Sequence, residues 1–97
     1  MITNIKAIDF QLAQKLEDYT NKKTAKLAKL LPAANSIDVT FKLVKPETNH
    51  NKEAHVRILT DEGDLFASKV ADTFEDALLQ TIEALEHQID KFKEKNK

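Results

Sequence analysis

Two runs, "SIDVTFKLV" at 36–44 and "EAHVRILT" at 53–60, alternate apolar with polar side chains. In the first, Ile37, Val39, Phe41 and Leu43 point one way and Asp38, Thr40 and Lys42 the other; in the second, Ala54, Val56 and Ile58 oppose His55, Arg57 and Leu59. A period of two marks strands with one dry and one wet face. The stretch between them, "KPETNHNK" (45–52), holds a proline and two asparagines and reads as a hairpin loop. The chain is thereby committed to a sheet whose dry face must be covered by something else.

The cover is supplied by helices. Phe74, Leu78, Ile82, Leu85, Ile89 and Phe92 recur at helical spacing, and at 100° per residue the last five fall within about 80° of one another. "DTFE" (72–75) starts this helix, with Asp72 or Thr73 as cap. A first helix is expected from a cap at Asp9, with Leu12, Leu16, Thr20, Lys23, Leu27 and Leu30 toward the core. It ends near Leu31, because the residue before Pro32 is pushed out of helical conformation. "ITNIKAI" (2–8) and "LFASKVA" (65–71) read as further strands, and "DEGD" (61–64), with the only glycine, as a tight turn. The order is β-α-β-β-β-α. Two amphipathic helices beside four strands make an α+β two-layer sandwich, a four-stranded sheet with both helices packed on one face. Its 97 residues suit a single domain, 1–97.

Candidate chemistry is sparse. The histidines, His50, His55 and His87, have no spacing to acids that would make a zinc site, and they read as surface residues. Ser36 and Ser68 lack a nucleophile-elbow context. A single glycine excludes the usual phosphate-binding loops, and "DEGDLFASKVAD" lacks the ligand pattern of a calcium loop. With no cysteine there is no disulfide or thiolate. No enzyme, cofactor, metal or small-molecule substrate is expected. No run approaches the roughly 20 apolar residues of a membrane span, and "MITNIKAIDF" lacks signal-peptide features. The expected location is cytoplasmic, with no membrane partner.

Charge is the remaining feature. The formal net charge is −1, but residues 1–60 carry ten bases and six acids, whereas 61–97 carry five and ten. "TNKKTAKLAKLL" (20–31) has four lysines and no acid. Lys15, Lys22, Lys26 and Lys29 span about 60° of a helix and border the leucine face instead of opposing it. Lys91, Lys93, Lys95 and Lys97 fan around the end of the last helix. One reading is bland: lysine is a good helix former and suits helix C-termini. The other is a groove between two side-by-side helices, both lysine groups flanking a phosphate backbone. Glu83 and Glu86 would add negative charge beside it.

The order of elements, with "LEDYTNKKTAKLAKLL", "VTFKLVKPETNHNKEAHVRI", "GDLFASKVADTFEDAL" and "IEALEHQIDKFKEK", resembles the ribosome hibernation-promoting factors, also called RaiA or YfiA proteins or sigma-54 modulation proteins. The resemblance covers almost the whole chain and implies a short form without a C-terminal dimerisation domain. It implies a translation inhibitor that binds rRNA of the small ribosomal subunit at the decoding region, in the messenger channel and the A and P transfer-RNA sites of idle ribosomes. It assigns rRNA contacts to Lys23, Lys26, Lys91 and Lys93. Lys22, Lys29, Lys95 and Arg57 join them on charge alone. Glu17, Leu79 and Ala84 depart from the family pattern. The alternative is a protein-interaction or homodimerising domain that uses the exposed sheet face with Lys42, Val44, His55, Arg57 and Leu59, a weak homo-oligomer.

Overall fold

The computed structural model describes residues 2–44 and 50–95. The elements are β1 (Ile2–Ile8), α1 (Gln14–Leu30), β2 (Ala34–Leu43), β3 (Lys52–Thr60), β4 (Gly63–Ala71) and α2 (Phe74–Lys95). They form one four-stranded sheet in the order β1-β2-β3-β4. The expected α+β architecture is the one observed.

β1 runs parallel to β2, with Ile5 opposite Val39, and α1 makes the crossover that a parallel pair requires. The other neighbours are antiparallel: Val56 lies opposite Val39 on one side and Ala67 on the other. This register puts Ile37, Val39, Phe41, Ala54, Val56, Ile58 and Ala67 on one buried face. The β3–β4 hairpin turns through Asp61 and Glu62, with Thr60 Oγ1 donating to the Gly63 carbonyl at 2.6 Å. Gly63 opens β4 at φ +132°, a conformation side-chain-bearing residues rarely adopt. A bulge between Ala34 and Ser36 lets β2 begin two residues before the alternation at 36–44. Of the expected loop 45–52, Lys52 is in β3 and 45–49 lie outside the described residues.

Both helices cover the buried face. α2 starts as expected: Thr73 is its cap, its hydroxyl accepting the Asp76 amide at 3.0 Å. It buries Ala77, Leu78, Thr81, Ile82, Leu85 and Ile89. α1 starts later than expected. Asp9 is not its cap but sits at φ 69° in the bend after β1, a left-handed conformation that aspartate tolerates. The helix begins five residues on at Gln14, behind Ala13, which makes no side-chain cap. The intervening residues are held instead by Phe10, which stacks on Phe74 with ring centroids 4.4 Å apart. Along α1 the buried positions are Leu16, Thr20, Thr24 and Leu27. Thr24, not Lys23, completes the stripe, because threonine can satisfy its hydroxyl on its own helix. Thr20 donates to the Leu16 carbonyl at 2.7 Å, and Thr24 to that of Asn21 at 3.3 Å.

Candidate nucleic-acid interface

Lys22, Lys26 and Lys29 are exposed on α1, and Lys23 is half-buried. The Lys23 ammonium lies 5.4 Å from the centre of the Tyr19 ring, so its stem packs while its charge stays at the surface. Tyr19 also reports how the helices sit. Its phenol pKa is pushed up by burial first, then by the carboxylates of Glu75 and Asp76. The first half of α1 therefore lies against the first turn of α2. Further along, Lys26 Nζ stands 3.7 Å from Glu86 Oε2. Tyr19 feels the charges of Glu75 and Asp76 and Lys26 pairs with Glu86, so the two helices run side by side in the same direction.

That register decides how the lysine groups meet. At about 1.5 Å per residue, Lys29 lies roughly 4.5 Å past Lys26 and Lys91 roughly 7.5 Å past Glu86. Both groups therefore lie toward the C-terminal ends of their helices, with α2 extending beyond α1. Lys93 is seven residues after Glu86 and so shares its azimuth, toward α1. Lys91 and Lys95 are turned toward the β4 edge, where with Leu65, Gln88 and Phe92 they border a cavity of about 270 Å³. Gln88 Nε2 fixes this side by donating to the Phe66 carbonyl at 2.8 Å.

Directly across from Lys26 the wall is acidic, since Glu83, Glu86, His87 and Asp90 line a shallow cavity of about 280 Å³ on α2. At the level of Lys26, then, an acidic stretch of α2 faces the α1 stripe. Arg57 is not brought to them at all. It lies across from Asp38 and Phe66 on the outer face of the sheet, with the sheet between it and the helices. The sequence reading missed Phe66 as its neighbour, although the alternation of Leu65 and Ala67 with Phe66 and Ser68 carried the signal.

The histidines stay apart. His50 Nδ1 is 3.3 Å from Asp72, and His55 contacts Glu53. No group of three metal-binding side chains occurs among the described residues, and none of their helices is long and apolar enough to cross a membrane.

The model of the family described as Sigma 54 modulation protein / S30EA ribosomal protein matches residues 3–97. The fold is similar to a ribosomal subunit interface protein from Coxiella burnetii, at TM-score 0.86 and 17% identity, covering 96% of this chain and 98% of that one. It is also similar to the Thermus thermophilus Protein Y N-terminal domain, at TM-score 0.78 and 17% identity, covering 92% and 94%. At such identity the likeness is one of fold. No curated protein matches the sequence.

Proposed function

Because the chain belongs to the sigma 54 modulation protein / S30EA ribosomal protein family, we propose that it binds the small ribosomal subunit at the decoding region and inhibits translation in idle ribosomes. The observation that carries this reading is the exposed lysine stripe of α1, Lys22, Lys26 and Lys29, with Lys93 exposed beyond Glu86 on the helix that packs beside it. Such a stripe suits a phosphate backbone held by charge, with no base code. Lys23 adds a charge held in place by Tyr19, and Lys91 and Lys95 extend the contact around the end of α2. In the messenger channel the domain would exclude transfer RNA by occupying its space.

Counterion release sets the test. If about four phosphates are neutralised, log affinity falls with log salt at a slope near −3, roughly a fiftyfold loss between 50 and 200 mM. Co-sedimentation with small subunits over a salt series, with transfer RNA as competitor, measures both quantities. Binding insensitive to salt, or unchanged by transfer RNA, would sink the reading.

The acids on α2 temper the same surface. Glu86 holds the Lys26 ammonium and, with Glu83, repels phosphate. The double substitution E83Q/E86Q is expected to tighten small-subunit binding by about threefold to tenfold, since each removed repulsion is a partly screened surface interaction. The same assay reads it.

A further inference from the structure

The outer face of the sheet carries a feature that the helical surface does not explain. A concavity of about 450 Å³ opens there, lined from Ile8 at the end of β1 across β2 and β3 to Phe66 on β4. Phe66, 44% exposed, forms one wall. The Arg57 guanidinium carbon lies 5.6 Å from the centre of its ring and the His55 ring 5.7 Å away. The charges in this concavity are unevenly committed. Asp38 accepts a hydrogen bond from Asn4 Nδ2 at 2.8 Å, and Glu53 contacts His55. Arg57 lies directly across from Asp38 in the register but makes no ion pair with it. Among the described residues neither Arg57 nor Lys42 has a carboxylate partner within 4.0 Å. The carboxylates are engaged, and the cations still have donors to offer.

We propose that this face binds an unpaired nucleotide of single-stranded RNA, its base laid on Phe66 beside Arg57 and its phosphate held by Arg57 and Lys42. A base has a flat face for an aromatic ring and for a guanidinium plane, and four-stranded sheets with exposed aromatics bind unpaired bases in this way. The volume accommodates one nucleotide, and the two cations without a carboxylate partner complement its phosphate. A second copy of the chain fits less well. The exposed apolar side chains of this face, Ile2 on β1 and Phe66 and Val70 on β4, stand on opposite edges of the sheet and form no single patch. This contact is separate from the helix lysines and does not depend on them.

The test is fluorescence anisotropy with labelled U10 and A10 strands and a duplex of the same length. The chain is expected to prefer the single strands. Phe66→Leu keeps an apolar side chain but loses the flat face, and should weaken binding about tenfold or more, as should Arg57→Gln. Phe66→Tyr, which retains the ring, should stay within about twofold of the original affinity. Lys69→Gln, which removes an exposed cation of β4 that does not line this concavity, should change it by less than about threefold. Equal binding of duplex and single strand, or unchanged affinity in Phe66→Leu, overturns the proposal. So does displacement of the strand by UMP or AMP at the strand's own dissociation constant, which would make a free nucleotide the ligand. Sedimentation equilibrium showing a dimer that Phe66→Leu dissociates would overturn it in favour of a second copy.

Discussion

Reversing two lysines at once, Lys23→Glu with Lys26→Glu, is expected to abolish co-sedimentation with small ribosomal subunits while the domain stays folded. The pair changes the charge of the α1 stripe by four units where Lys22 and Lys29 flank it. Losing two phosphate contacts removes about 1.5 to 2 from the salt slope, and the new repulsion adds to that loss. An affinity drop of about a hundredfold or more near 0.1 M salt follows. The folding cost is small by comparison. The Lys26–Glu86 contact is a surface pair, with the lysine 62% exposed, and such pairs contribute about 0–1 kcal/mol. The Lys23–Tyr19 contact contributes about 0.5–1 kcal/mol. A loss near 2 kcal/mol leaves a domain of about 5–15 kcal/mol folded, and circular dichroism melting checks that it does. Undiminished co-sedimentation by a folded double variant would refute the lysine interface.

The elements were legible because each is encoded by its own period. The α2 stripe and its Thr73 cap can be read from residues 73–92 alone, and the alternation of β2 and β3 already names their buried faces. The start of α1 was not legible. Asp9 has the chemistry of a cap, and only the stacking of Phe10 on Phe74, 64 residues away in the chain, shows why the helix waits until Gln14. The candidate interface divides in the same way. The lysine stripe of α1 follows from spacing within one helix, and the structure keeps it exposed. How that stripe stands against α2 depends on the axial register of two helices, which no local period encodes. Glu86 opposite Lys26 and Lys93 two turns beyond it emerge only from the packing. Arg57 was grouped with the lysines on charge, yet its own alternation with Val56 and Ile58 sends it to the opposite face of the sheet.

Phe41→Ala is expected to cost about 3–5 kcal/mol, toward the upper end of that range. Phe41 is fully buried, and its ring meets Phe74 edge-on at 5.5 Å; Phe74 in turn stacks on Phe10. Removing it takes away both the transfer energy of the ring and an aromatic pair worth about 0.5–1.5 kcal/mol beyond area. The site is also poorly able to collapse. In the register, Phe41 stands between Ala7 on β1 and Ala54 on β3, so neither cross-strand neighbour has a side chain long enough to enter the void. In a domain of this size, each kcal/mol lowers Tm by about 4–8 °C, which makes the expected fall about 15–40 °C. Urea unfolding should show a lower midpoint with an unchanged slope. Phe41→Leu, nearer in volume, should cost less than about 2 kcal/mol. Phe66→Ala, the same side chain on the solvent face two strands away, should shift stability by less than about 1 kcal/mol. A Phe41→Ala variant that melts within about 5 °C of the original chain would mean that Phe74 and Phe10 refill the space. The entry of α2 would then rest on its Thr73 cap rather than on the aromatic stack.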